Sequence, residues 1–446
     1  MSRGSPHPRS RALRRALALV ALLTAALAAA PARADVVDDW NVAASDIITG
    51  AAPGGAGIVP AASASRLAIV NLALYDAAVA IDGRYTPYHA RPVVPRGASF
   101  EAAVAVAGHD ALVGLFPAFA ADLDARLVTS LAAVRDGQAK TDGMAVGAAV
   151  AADLLALRAH DGWGVDDPSY YVQPPAAAGV WLPLSGRAVS PWSSHVTPSS
   201  LVAGDQILSD PPPQLTSRRY ARDYNEVKEL GRFDSATRTP DQTNLALFFV
   251  DNAMRMWNRT VRAIAANEGM SSADKARLYA EINVAGADAL VGCWAGKYGY
   301  QLWRPEAAIT SAFDDGNPRT EGNDPTWKPL RPTPNYADYP SGHACYTGSI
   351  MDTLRHWFGR DRYTFTVQSI QPAESPATGL IQPTLVFHRF SEVADAIQDA
   401  RMLLGIHFRF AMVAGDKLAR QTSHWMLRHY FQPVRCREGH GEHEDD

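Results

Sequence analysis

Cysteine is scarce: Cys293, Cys345 and Cys436 are the only three in 446 residues. Their spacing matches no metal-ligand pattern, and an odd count excludes a disulfide framework as the source of stability. One pair with one leftover thiol stays open. An excess of either charge is also lacking, since 42 Lys and Arg face 46 Asp and Glu for a formal net charge of -4. Such a chain carries no field that would select nucleic acid or an anionic membrane, so no nucleic-acid partner is expected and any basic site has to be local. Beyond residue 34 no uninterrupted apolar run reaches the roughly 20 residues a helix needs to span a bilayer. The long patterns carry Asp, Arg or Asn every few residues, so the mature chain is expected to be soluble, without a membrane span. Strand-like alternation is scarce too, which argues against a sheet-based fold.

What is present is apolar residues at three- and four-residue intervals, closed by Gly or Pro. With 47% hydrophobic and 20% charged residues, the chain can bury one large core or two moderate ones. The first 34 residues stand apart. Arg3, Arg9, Arg11, Arg14 and Arg15 precede an apolar run from Ala16 to Ala30, and Ala32-Arg33-Ala34 follows. A basic start, a short apolar run and a small-x-small site read as a signal peptide over 1–34, hence a secreted or periplasmic protein. Arg14-Arg15 leaves general or twin-arginine export open.

Helices are predicted over Val37–Thr49, Ser63–Asp82, Phe100–Phe116, Ala118–Arg135 and Lys140–His160, an N-terminal helical region spanning 35–161. From 162 to 215 the composition turns to Pro, Ser, Gly and Trp, including Pro211-Pro212-Pro213, and reads as a loop or linker that closes over the active site. Helical patterns resume at Ser217–Leu230, Pro240–Glu268, Ser272–Gly296, Ser341–Phe358, Ser391–Ala400 and Phe408–Tyr430, within a C-terminal helical region over 216–434. A polar tail, 435–446, is expected to be disordered. The fold class is all-α, a helical bundle.

Three separated segments carry groups that an oxyanion needs. Lys297 and Arg304-Pro305 fall at the end of one helix and in the loop behind it, offering a point charge and a forked donor to a tetrahedral anion. Tyr339-Pro340-Ser341-Gly342-His343 precedes a helix: Ser341 caps it, Gly342 lets a backbone N–H approach an anion, and His343 stands by as a proton donor that exchanges near neutrality. Arg401 and His407 bring a third cation and a second imidazole, with Gly405 breaking the helix so that His407 points sideways. A histidine nitrogen can attack phosphorus or coordinate vanadium, whose oxyanions share tetrahedral and trigonal-bipyramidal shapes.

In this order, Lys-x6-Arg-Pro, Pro-Ser-Gly-His and Arg-x5-His resemble the three-part signature of the vanadium-dependent haloperoxidases, within the type 2 phosphatidic acid phosphatase superfamily that also holds soluble and membrane phosphatases. The setting, from Asp39-Trp40-Asn41 through Leu74-Tyr75-Asp76-Ala77 and Trp294-Ala295-Gly296-Lys297 to Gly405–Phe410, is similar to the exported bacterial branch of the haloperoxidases. The resemblance implies a vanadate cofactor, with phosphate able to take the same site. Lys297, Arg304 and Arg401 would bind its oxygens, helped by Ser341 and Gly342. His407 would be the axial vanadium ligand and His343 the general acid-base. It implies oxidation of a halide by hydrogen peroxide, activated at vanadium acting as a Lewis acid, to a hypohalous acid equivalent. The alternative is a secreted acid phosphatase working through a phosphohistidine at His407.

Two positions depart from the signature, Ala400 where it has Ser and Ala411 where it has Asp. Without a carboxylate at 411, His407 lacks that group to orient its other nitrogen, which counts against the phosphatase unless a backbone carbonyl substitutes. Trp294, Tyr336 and Phe408 read either as walls of a halide and peroxide pocket or as packing. Asp288 is a partner for one of the cations or part of a solvated helix face. His109 reads as a core or interface histidine, and His440 and His443 as solvated. The N-terminal helices supply packing and a surface for a homodimer, oligomeric state and choice of halide staying open.

Overall fold

Capping chemistry sets where the helices begin. A computed structural model describes residues 35–51, 60–165, 167–184, 186–370, 374–375, 379–380 and 383–434; the signal-peptide and polar-tail readings, and Cys436, His440 and His443, lie outside them. Ser99, Ser217, Thr239, Asn252 and Ser271 each accept a hydrogen bond from a backbone N–H of the first turn that follows, the orphan donors of a helix start. The helices are α1 Val36–Thr49, α2 Pro60–Asp82, α3 Phe100–Leu115, α4 Ala120–Ala132, α5 Gln138–Arg158, α6 Arg218–Leu230, α7 Pro240–Phe248, α8 Ala253–Asn267, α9 Ser272–Tyr300, α10 Pro305–Thr310, α11 Gly342–Phe358, α12 Phe390–Leu403 and α13 Arg409–His429. The all-α expectation holds.

Two sequence expectations need correction. The single helix predicted over Pro240–Glu268 is two, because Asn252 turns the chain and caps α8, its Oδ1 accepting from Arg255 N at 3.2 Å. A small antiparallel hairpin, Arg362–Gln368 with Thr384–Arg389, was not expected at all. Its first strand buries Phe365 and Val367 and exposes the residues between, a period of two too short to stand out in a helical chain.

α9 is the axis of the molecule: it packs on α2 on one side and on α11 and α13 on the other. Most side chains along it are buried, so its apolar residues are not confined to one stripe, and the buried polar ones, Glu281, Asn283, Asp288 and Lys297 among them, need partners in the core. Four buried amides join it to the N-terminal helices, Asn41 bonding Asn71 and Asn258, and Asn258 bonding Asn283, all at 2.9–3.0 Å. Each needs the others to satisfy its donors and acceptors in the dry core. From Val36 onward the chain is one unit, so the N-terminal and C-terminal helical regions share a core. One helix, Ala61–Asp82, has the length and hydropathy to cross a membrane, and 89% of its apolar window is buried in this core.

The Pro-rich segment holds short 3-10 turns at Pro168–Tyr170 and Pro191–His195 and is otherwise irregular. Asp161 binds Arg66 and Arg158 at its start. Near its end Asp288 accepts from Ser199 N, Ser200 N and Ser200 Oγ at 2.6–2.7 Å. Asp288 is therefore an anchor for this segment, not a partner for a site cation.

Candidate oxyanion site

The end of α9 is made by Gln301, whose left-handed backbone (φ 50°) caps the helix and reverses the chain. Two bonds to the Pro-rich segment then guide the stretch that follows: Trp181 N to Gln301 O at 2.7 Å and Trp303 N to Gly179 O at 2.9 Å. Arg304, next in line, is fully buried. Its Nε donates to Tyr336 O and its Nη1 to Ile406 O, both at 2.6 Å, so one guanidinium ties the first signature segment to the other two. Its Nη2 is buried with no partner.

Lys297 is also fully buried, one turn from the end of α9. All three of its protons go to carbonyls, of Ala337 (2.9 Å), Asp338 (3.0 Å) and Pro340 (2.6 Å). The loop before α11 is thus laid on the ammonium, and glycine makes the approach possible, since a Cβ on Gly296 would lie 2.7 Å from Pro340 Cδ. Burial lowers the Lys297 ammonium to about 8. The Tyr339-Pro340 peptide is cis.

Ser341 occupies the N-cap position of α11, but its hydroxyl caps nothing: Oγ is buried without a partner, while Ser341 N donates to Ala411 O at 3.0 Å. The expectation of a capping serine is corrected, and the hydroxyl stays available. Gly342 opens the helix against Trp294, where an added Cβ would lie 3.1 Å from the indole. His343 forms no hydrogen bond among the described residues and borders a cavity of about 250 Å³ with Trp294, Tyr336, Met254, Leu290 and Tyr346. The cavity is walled by residues 250–254 at the start of α8, while the Pro-rich segment packs on the stretch that leads into Arg304.

Burial, then Arg401, Lys297 and Arg304, hold His343 well below the ordinary imidazole range. That direction runs against the proton exchange near neutrality expected of this residue. Trp294 and Tyr336 face each other across 5.2 Å at the cavity. Phe408 instead stacks on Phe410 at 5.0 Å and is packing.

Arg401 ends α12, nearly buried, with Nη1 on Phe249 O at 3.3 Å and Nε without a partner; burial lowers it to about 10. After α12 the chain turns at Gly405 (φ 78°), as expected from its place before His407. His407 is buried, and its Nδ1 lies 2.6 Å from Asp338 Oδ1.

Asp338 is the site residue that sequence reasoning missed. It stands 69 positions from His407, in the loop that Lys297 and Arg304 hold. The objection raised by Ala411 thus falls away, because a carboxylate does meet the imidazole, from another segment. Burial raises Asp338 to about 7, against the pull of Arg304, Lys297 and the Phe408 N–H. Burial likewise lowers His407, and the surrounding cations lower it further. With Arg304 and Lys297 favouring the carboxylate, the 2.6 Å contact is made by an Nδ1–H that donates to Asp338 Oδ1.

An oxyanion fits these residues. Arg304 Nη2, Arg401 Nε and Ser341 Oγ are three buried polar atoms left without partners, each costing about 1–3 kcal/mol unless something satisfies it. Beyond burial, Arg304 lowers both Lys297 and Arg401, and all three cations lower both histidines, a repulsion that one anion relieves. Among the described residues no group of three His, Cys, Asp or Glu is placed to cage a metal cation, and an anionic cofactor asks for donors instead. Cys293 and Cys345, beneath the site, are free buried thiols, so these two are not the disulfide left open by the sequence.

Residues 277–435 match the family described as the VCPO second helical-bundle domain. The chain is 27% identical over 296 residues, 52% of its own length, to the vanadium chloroperoxidase of Curvularia inaequalis, and spans about half (48%) of that protein. A crystal structure described as the first bacterial vanadium-dependent iodoperoxidase superposes with a TM-score of 0.71 at 22% identity, covering 90% of this chain and 97% of that one. A holo-type bacterial vanadium-dependent chloroperoxidase superposes with a TM-score of 0.65 at 16% identity, covering 82% and 91%. The fold is the helical bundle of the bacterial vanadium haloperoxidases.

Proposed function

We propose that this chain is a vanadate-dependent haloperoxidase, oxidising a halide with hydrogen peroxide to a hypohalous acid equivalent, exported through its first 34 residues to a secreted or periplasmic location. The observation that carries the reading is the set of buried, unpartnered groups, Arg304 Nη2, Arg401 Nε and Ser341 Oγ, gathered with His407 by hydrogen bonds that cross three distant segments. Vanadate, when bound, supplies a Lewis-acid centre that activates peroxide without changing oxidation state. Everything else is done by side chains.

Arg304, Arg401 and Ser341 hold the oxyanion and balance its charge, with the Gly342 N–H at the positive end of α11. Lys297 adds a positive charge close by while its protons hold the loop that carries Ser341. His407 offers Nε2, and His343 moves a proton at the cavity wall. An anion placed among the three cations opposes their depression of His343, so its proton affinity rises when the site is filled.

Orthovanadate added to the purified protein is expected to yield peroxide-dependent bromination of a diketone dye, abolished in His407→Ala. Because Asp338 supplies an orienting carboxylate, hydrolysis of p-nitrophenyl phosphate is measured without vanadate in the same preparation. Phosphatase turnover with no bromination would replace the proposal by the acid-phosphatase reading.

A further inference from the structure

We infer that Asp338 is the positioning residue for His407, holding the imidazole in the tautomer that presents Nε2 to the oxyanion, and so takes from the loop before α11 the part left vacant by Ala411. The inference rests on the oxyanion-site reading proposed above.

The contact dictates the tautomer. A carboxylate only accepts, a neutral imidazole has a single N–H, and Nδ1 sits 2.6 Å from Oδ1. The proton is therefore on Nδ1 and the lone pair on Nε2. No other partner for Nδ1 exists among the described residues, and the Nε2 side carries no hydrogen bond there that would compete for the lone pair.

Both partners are held rigidly, as orientation requires. Asp338 N donates to Leu302 O at 3.0 Å, and the Asp338 carbonyl takes a proton from Lys297. Arg304 straps the two sides together, binding Tyr336 O two residues before Asp338 and Ile406 O one residue before His407. Position 411 contributes nothing to the orientation, since Ala411 is fully buried and its backbone is engaged with Phe408 O and Ser341 N. The same cations thus fix the backbone on both sides of the Asp338–His407 contact, while Asp338 Oδ2 is buried without a hydrogen-bond partner. The sequence order of the orienting group has changed while its chemistry has not.

The test separates vanadate from phosphate, because vanadate bonds to an imidazole nitrogen while phosphate at equilibrium relies on the cations and hydroxyl. Inorganic vanadate and inorganic phosphate are titrated calorimetrically into the full chain, Asp338→Asn and His407→Ala. Asp338→Asn is expected to weaken vanadate about 10–100-fold while phosphate shifts only a few-fold, and His407→Ala to show the same selective loss. Moving the carboxylate in Asp338→Asn/Ala411→Asp is expected to restore part of the vanadate affinity. Equal loss of both anions in Asp338→Asn, or no loss of either, overturns the inference. A wild-type chain that binds neither anion overturns the oxyanion reading itself. Should the variants fail to fold, nitrogen NMR of ¹⁵N-histidine-labelled wild-type protein decides alone: an Nε2-protonated neutral His407 overturns the inference, an Nδ1-protonated one supports it.

Discussion

Gly405 is the position where backbone geometry and site chemistry are joined most tightly, and replacing it by alanine gives a sharp expectation. Its φ is 78°, and a Cβ there would lie 2.4 Å from Gly231 O and 2.9–3.0 Å from Pro329. Two costs add: about 1–2 kcal/mol for an L-residue in the left-handed region, and about 1–3 kcal/mol for overpacking against backbone that cannot swing aside. Gly83→Ala is the internal control, since its φ is 72° and nothing lies within 4 Å of the added carbon. It should incur only the first cost. With an unfolding entropy near 2.1 cal/mol/K per residue over roughly 400 residues, 1 kcal/mol corresponds to a shift of about 1 °C. Gly405→Ala should therefore melt about 2–5 °C lower by calorimetry, and Gly83→Ala about 1–2 °C lower. Because Gly405 aims His407, Gly405→Ala should also weaken vanadate by at least about 10-fold, whereas Gly83→Ala should not. Equal melting shifts in the two variants, or unchanged vanadate affinity in Gly405→Ala, would refute the argument that this turn is sterically locked and sets the histidine.

Lys297→Met strips a buried cation from three carbonyls and is expected to cost roughly 3–5 kcal/mol of stability in denaturant unfolding, as well as anion affinity; a variant of wild-type stability would mean that the ammonium does not strap the loop. Asp288→Ala leaves two backbone N–H groups and a hydroxyl buried and unpaired, so proteolysis within 199–209 should accelerate about 10-fold or more, and an unchanged digestion pattern would count against it as an anchor. Glu281 is fully buried and raised to about 7 from an ordinary 4.5 by desolvation, partly offset by Arg277. The folded chain keeps a proton there that the unfolded chain releases, so stability is fully present below pH 4.5 and falls by about 3 kcal/mol as pH climbs through 7. Glu281→Gln should flatten that slope in unfolding midpoints measured at pH 5 and pH 8; parallel slopes would sink the assignment.

The site was legible where its chemistry is written into short local words. Lys297, Arg304, Ser341, Gly342, His343, Arg401 and His407 each sit in a segment whose turn and charge residues announce a helix end beside an anion-binding group. The structure ties those segments together through Arg304, Lys297 and the Ser341 N–H. Helices likewise follow from periodicity and caps, and the break at 249–252 escaped because Asp251-Asn252 sits inside an otherwise continuous apolar pattern. Functions defined by proximity across the fold were not legible. Asp338 reads in sequence as one more acidic loop residue, and only the folding of the loop onto Lys297 sets it against His407. Asp288, nine residues before Lys297, read as a partner for a site cation or as part of a solvated helix face. In a 3.6-residue helix that spacing is two and a half turns, which carries the side chain to the opposite face and onto the Pro-rich segment.

That contrast has a physical consequence for how such a site tolerates change. Each of the three site cations is held by backbone carbonyls, of Tyr336, Ala337, Asp338, Pro340, Ile406 and Phe249, which substitution of those residues leaves in place, and Tyr336 adds its ring face, 4.7 Å from the Arg304 guanidinium and 5.1 Å from Lys297 Nζ. The orienting carboxylate is different. It needs only to reach Nδ1 of His407 from a rigid, dry segment, a condition that more than one point on the surrounding backbone satisfies. The cations are therefore placed by the helix ends and turns that carry them, while the carboxylate behind His407 is placed by the fold of the loop before α11. The proposed haloperoxidase activity therefore needs no carboxylate at 411, because Asp338 reaches Nδ1 of His407 at 2.6 Å.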